Sequence, residues 1–144
     1  MQSSVIQLKV LLFQKVIPSY RENFFLELSA RFLEFSIFSS RERLDGENHP
    51  ESRSCLKGVR YGEYGLLPFI RNSSTILEII DEHDLVIIPT TFRTHTFLLI
   101  AFSIFKRKKL VGWGIGHMPN ENFWKKIIRG NFYRLFHMII FYSP

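Results

Sequence analysis

The sequence predicts a doubly wound α/β fold, one domain whose mostly parallel sheet is flanked by helices. Three observations carry this. Short apolar runs such as LKVLLFQ at 8–14 and DLVIIP at 84–89 have the continuous hydrophobicity of strands buried on both faces. Between such runs, apolar residues recur at helical spacing, as Phe24, Phe25, Leu28 and Phe32 do. Strand and helix patterns then alternate along the chain, and short right-handed crossovers turn such a series into a parallel sheet.

Composition sets the bounds. The 144 residues are 46% hydrophobic and 22% charged, the balance of a globular chain rather than a disordered one. At this length one domain buries roughly two thirds of its unfolded surface. Fifteen phenylalanines demand either an aromatic core or a surface that meets lipid or another domain. The net charge of +6 favours an anionic partner: a phosphate group, nucleic acid or an acidic membrane surface. The single Cys55 excludes an internal disulfide and a cysteine-rich metal site. No secretory signal pattern opens the sequence, and the longest apolar stretch, FLLIAFSIF at 97–105, falls far short of the ~20 residues of a membrane span. A cytoplasmic protein is expected, with the inner face of the membrane as a second possible address.

The elements follow in order. After the strand at 8–14, Ser19 with Glu22 three residues later forms a capping box that opens a helix. EFSIFS at 34–39 alternates with period two as a second strand. Residues 41–57 are a long polar loop, and 58–67 hold a weak strand interrupted by Gly62 and Gly65. Thr75 and Glu78 make a second capping box, opening a helix through Ile76, Leu77, Ile79 and Ile80. The strand at 84–89 is followed by an almost wholly apolar helix at 94–105. Its last turn leads into Lys106-Arg107-Lys108-Lys109, cations suited to a helix carboxyl end. A strand at 110–113 comes next, then a helix at 122–136. That helix is expected to turn Phe123, Ile127, Ile128, Phe132 and Leu135 inward, with Lys125, Lys126, Arg129 and Arg134 outward. MIIFY at 138–142 is the last strand.

In such sheets ligands bind beyond the carboxyl ends of the strands, near the reversal of strand order. The loops at 14–20, 90–93 and 114–121 leave on that side. The third carries VGWGIGHMP at 111–119, where Gly112, Gly114 and Gly116 alternate with bulky residues. A dinucleotide cradle needs a helix starting within the glycine run. Here Pro119 and Asn120 intervene, so the glycines are read as room for a sharp turn or a close neighbour. His117 stands at a strand end, where its ordinary pKa of about 6.5 suits proton exchange with a hydroxyl or phosphate. The ordinary alternative is a surface histidine packed on Trp113 or Trp124. His95 follows another strand end, while His49, His83 and His137 have a structural or solvated default. Lys15 and Arg21 flank the first loop and could meet an anionic group. No metal site is expected: the cluster Asp81-Glu82-His83-Asp84 lies at the opposite end of the sheet, where it solvates a turn. No recognised nucleic-acid module is present.

The ordered set KVLLFQKVIPSYRENFFLELSARF (9–32), DLVIIPTTFRT (84–94), KLVGWGIGH (109–117) and IIFYS (139–143) resembles the N-terminal half of GT-B glycosyltransferases of the broad family 4 type. The resemblance implies a Rossmann-like acceptor-side domain facing a second domain across a cleft. It implies that loops 14–21, 90–95 and 114–120 line the acceptor side. His117 then touches the transferring sugar or the acceptor hydroxyl as the catalytic residue. Lys15, Tyr20, Arg21, Thr91, Arg93 and His95 bind the acceptor, and Gly114 and Gly116 shape the loop. The nucleotide-sugar donor belongs to a C-terminal domain that has no place in these 144 residues. Transfer is thus expected only with a C-terminal half or partner subunit, and no cofactor is expected on this chain. The resemblance implies a saccharide or lipid-linked acceptor of the cell-envelope polysaccharide kind, with peripheral contact to anionic membrane. Two other readings compete: a stand-alone flavodoxin-like binding or regulatory domain, and an anionic-lipid surface adaptor.

Overall fold

The computed structural model describes residues 5–18, 21–40, 56, 58–115 and 122–142. Its six strands are β1 (Ile6–Phe13), β2 (Phe32–Ser39), β3 (Val59–Tyr61), β4 (Leu85–Pro89), β5 (Lys109–Ile115) and β6 (Met138–Tyr142). Every pairing is parallel, in the order β3-β2-β1-β4-β5-β6. The chain builds outward from β1 to β3, crosses back to β4, and grows the other way. The order therefore reverses between β1 and β4, where Val10, Leu11 and Leu12 pair with Leu85, Val86 and Ile87. This is a Rossmann-like α/β domain.

The helices are α1 (Glu22–Arg31), α2 (Leu66–Arg71), α3 (Ser73–Asp81), α4 (Thr94–Phe105) and α5 (Phe123–Tyr133). Strand side chains alternate between faces, so β1 sends Leu11 and Phe13 one way and Val10 and Leu12 the other. The first set joins Phe69, Ile80, Leu99 and Phe132 from α2 to α5. The second set meets Phe25 of α1, together with Val111 and Trp113 of β5. All four β1 residues are at most 1% exposed, as a central strand covered on both sides must be.

Several expectations need correction. The weak strand at 58–67 contracts to Val59–Tyr61, and α2 follows it. Pro68 sits in the first turn of α2, where a missing N–H leaves no intrahelical bond unmade. Thr75 caps nothing, because α3 already begins at Ser73, and the preceding Asn72 donates its side-chain amide to Pro68 O at 3.0 Å. Arg21 occupies the N-cap of α1 without a side-chain bond, and Ser19 lies outside the described residues. The strand expected at 110–113 runs from Lys109 to Ile115, so Gly114 belongs to β5 rather than to the loop.

The turn at 81–84 is not merely solvated. His83 is fully buried with Nδ1 2.7 Å from Ile79 O, and the Asp84 carboxylate accepts the Lys9 N–H at 2.9 Å. Glu82 pairs with Arg60 at 2.7 Å. Asp81 pairs with Lys106 at 3.2 Å and Lys108 at 3.5 Å, and these ammonium groups hold its carboxyl below the usual range. Part of the basic run at 106–109 is therefore consumed by the fold.

Helix α5 is turned differently from the expectation. Phe123, Ile127, Ile128 and Leu135 are exposed, Phe132 is its buried residue, and Arg129 is partly buried. The seat beside Phe132 is taken by rings from the chain before and within α4: Phe92 at 4.7 Å and Phe97 at 5.2 Å. Among the described residues no helix is long and apolar enough to cross a membrane.

Candidate functional site

Above the reversal point, at the carboxyl ends of β1, β4 and β5, lies a cleft of about 450 Å³. The β1 exit supplies Gln14 and Lys15 to it, and the β4 exit supplies residues 89–93. Lys15 is positioned through its carbonyl, which accepts the Ser40 N–H at 2.9 Å and both hydroxyls of Ser39 and Ser40 at 3.1 and 2.7 Å. Tyr64, just before α2, forms one wall, and Arg129 and Tyr133 of α5 form another.

The glycines of β5 make this arrangement possible. A side chain at Gly112 would put its Cβ 2.7 Å from Thr90 Cγ2, and one at Gly114 would overlap the Thr90 hydroxyl. Thr90 crosses here because its N–H donates to Trp113 O at 2.8 Å. The glycines thus let the β4 exit lie against β5, which is the close-neighbour reading of the sequence. They do not form a phosphate-cradling loop, since residues 111–113 are strand paired on both sides and 114–115 are strand paired with β6.

Three cationic side chains, Lys15, Arg93 and Arg129, line the cleft, and no carboxylate is among its described lining residues. Helix α4 starts at Thr94 with Arg93 as its N-cap, so the positive end of its dipole lies at the cleft. Behind it, the hydroxyls of Thr91 and the buried Thr96 lie 3.2 Å apart. The Tyr64 ring sits edge-on to His95 at 5.3 Å and to Phe69 at 5.0 Å. Its hydroxyl is closed off from solvent and has no hydrogen-bond partner among the described residues. Burial pushes that phenol far above its ordinary pKa, offset only in part by Arg93, so it stays protonated and able to donate.

His95 is shifted the other way. Desolvation first, then the charges of Arg93 and Lys15, hold its imidazole below the ordinary value, so it is neutral at pH 7. The unfolded chain therefore takes up this proton more readily than the folded one. The contribution to stability is fully present above about pH 6.5 and is lost as pH falls toward the lowered folded value. Urea midpoints at pH 7.5 and 5.5 should show wild type losing more stability on acidification than His95→Gln. Equal losses would mean that the imidazole feels no such field.

Of the residues the sequence singled out, Lys15, Thr91, Arg93, His95 and Gly114 come together at the cleft. Arg21 does not line it: its guanidinium lies 5.8 Å over the Trp113 ring, at the start of α1. His117, Tyr20 and Gly116 lie outside the described residues. Tyr64, Arg129 and Tyr133 line the cleft without having been anticipated, whereas Gln14 and Thr90 belong to the segments 14–21 and 90–95 expected there. Gln14 adjoins Lys15 and was within reach of the sequence. Tyr64 was not, because it precedes a helix with no clear sequence signal. Among the described residues, no three of His, Cys, Asp or Glu gather in a way that could hold a metal ion.

No family model matches this chain, and no curated protein matches it. A solved structure is similar. It is the crystal structure of a protein of unknown function from Vibrio parahaemolyticus, with a TM-score of 0.54 and 16% identity over 100% of this chain and 98% of that one. At that identity the likeness shows the α/β fold.

Proposed function

We propose that this chain is the acceptor-side half of a two-domain GT-B glycosyltransferase, and that the cleft seats a saccharide or lipid-linked acceptor. The observation that carries the reading is the cleft's position and lining. It opens at the point of strand reversal, where such sheets bind ligands. Around it stand groups that pair with sugar hydroxyls: the Thr90 and Thr91 hydroxyls, the Gln14 amide and the neutral His95 ring. The ordered sequence resemblance supports the same assignment. A C-terminal domain or partner subunit would bring the nucleotide-sugar, and His117 is the residue assigned to the transferring group. The exposed Phe123, Trp124, Ile127 and Ile128, beside Lys125 and Lys126, suit peripheral contact with an anionic membrane.

The test is a saccharide screen by NMR on the labelled full chain. Binding should move the amide signals of Thr91 and His95, and Thr91→Ala should weaken it by about threefold to tenfold, the cost of one lost hydrogen bond. Saccharides that bind only elsewhere, or not at all while a flavin does, would overturn the reading in favour of a flavodoxin-like binding domain.

A further inference from the structure

We infer that the acceptor is lipid-linked, because helix α5 lays its outer side on an anionic lipid surface while its other side walls the cleft. The inference rests on the acceptor reading and deepens it: of a free saccharide and one carried by a lipid, it selects the second.

The first argument is the direction in which α5 is amphipathic. A helix on a globular domain turns its apolar stripe toward the core. In α5 the buried residue is Phe132. Trp124, Ile127 and Ile128, at i, i+3 and i+4, are instead 68%, 41% and 58% exposed, and Phe123 widens their stripe at 66%. Arg129 and Tyr133, four residues apart, line the cleft. At about 100° per residue they lie roughly half a turn around the helix from the stripe. The same spacing puts Lys125 on one border of the stripe and Lys126 on the other. One helix therefore joins the cleft to an outward apolar face rimmed by cations.

The second argument is the distribution of charge along the chain. Residues 85–144 carry nine lysines and arginines against a single acidic residue, Glu121. Residues 1–84 carry ten against twelve. The positive excess thus belongs to the half that holds α5, and neither α5 nor β6 contains an Asp or Glu. A second copy seated on this stripe would bring lysines against lysines, which like charges resist. An acidic lipid surface complements them. Trp, Phe and Ile on one side with Lys and Arg on the other is the pattern of helices that lie in the plane of a membrane interface. Lysine stems at the borders carry their ammonium groups back to the headgroups. An α-helix with its side chains is about 10 Å across, so the cleft stands about that far above the lipid. A saccharide on a lipid headgroup reaches such a cleft without leaving the membrane.

The full chain is first mixed with phosphatidylcholine vesicles, with and without phosphatidylglycerol. It should sediment with the anionic vesicles, and less so at high salt. Tryptophan emission should shift to the blue, a shift that Trp124→Ser removes. Trp124→Ser with Ile128→Ser should weaken binding about tenfold or more, with a thermal midpoint close to wild type because both side chains are exposed. Lys125→Ala with Lys126→Ala should weaken it by a similar factor, about tenfold or more. Leu67→Ser, on the exposed side of α2, should leave it unchanged. Dodecyl glucoside, galactoside and mannoside in anionic nanodiscs are then compared with their methyl glycosides in solution. One dodecyl form should move the Thr91 and His95 amide signals at about tenfold lower sugar concentration, an effect of confinement to the same surface. The advantage should vanish in the Trp124→Ser, Ile128→Ser double variant. Vesicle binding indifferent to anionic lipid or to the α5 variants would overturn the inference, as would self-association in its place. A methyl glycoside that binds as tightly as its dodecyl form would overturn it too. If methyl glycosides bind the cleft and vesicles are ignored, the inference fails and the acceptor reading stands. If vesicles bind as described and no glycoside of either form reaches the cleft, α5 remains a lipid-docking surface and the acceptor reading fails.

Discussion

Replacing Phe25 by alanine should lower folding stability by about 3–5 kcal/mol, the usual cost of deleting a buried phenylalanine ring. Phe25 is fully buried and is the buried residue of α1. It stacks on Phe35 of β2 at 6.4 Å and joins the cluster that holds Val10, Leu12 and Ile37. On this face α1 is the helix that covers the sheet among the described elements, whereas four helices share the opposite face. Loss of one ring therefore loosens a whole layer instead of leaving a cavity inside a fixed frame. Domains of this size have folding free energies of about 5–15 kcal/mol, so the loss removes a large fraction of the total. Urea unfolding reads the loss, and hydrogen exchange at residues 10–13 and 22–31 should accelerate before the rest of the sheet. A loss below about 1 kcal/mol would show that α1 is held by something other than this ring.

Gly114→Ala should cost about 1–3 kcal/mol, the range for forcing extra atoms into a packed site. It should also damage the cleft out of proportion to its size. The new methyl would overlap the Thr90 hydroxyl, and Thr90 is tied to Trp113 O through its N–H at 2.8 Å. Moving Thr90 shifts the start of the segment that carries Thr91, Arg93 and the first turn of α4. Ligand affinity at the cleft should therefore fall together with stability. Thr90→Ala in the same chain removes the clashing oxygen and leaves the Thr90 Cβ 3.2 Å away, tight but tolerable. The double variant should recover most of the stability lost by the single one, a coupling expected for residues in direct contact. Strict additivity would mean that the glycine is needed for another reason.

The two variants mark what the sequence could and could not reveal. The parallel sheet was legible because runs such as VLLF and LVII are short and apolar at every position, as strands covered on both faces require. The place of the cleft was legible for a related reason, since alternating strands and helices fix which loops leave the carboxyl ends. Residues next to those strand ends, Lys15, Thr91, Arg93 and His95, were found in this way. Gly114 was noticed as well, but a glycine in a sequence does not say which neighbour needs the room, and Thr90 supplied that answer. Helix α5 shows the limit most clearly. Its periodicity reveals an apolar stripe and a basic stripe, and periodicity alone points the apolar one inward. Phe92 and Phe97, distant from α5 in sequence, occupy the space that stripe would have filled, so Arg129 reaches the cleft. Tyr64 was invisible because its place in the cleft wall and its buried, unpartnered hydroxyl are properties of three-dimensional packing alone.

The strand order has one more consequence, for what happens when molecules crowd together. The two borders of the sheet are unequal: β3 offers three residues, whereas β6 offers five, all apolar or aromatic, with no described strand on its far side. Met138 and Phe141 are 62% and 51% exposed there. Unpaired backbone groups on such a border are a template for any passing strand. Intermolecular growth, where it occurs, therefore has a direction: it begins at β6 and extends the same sheet away from β1.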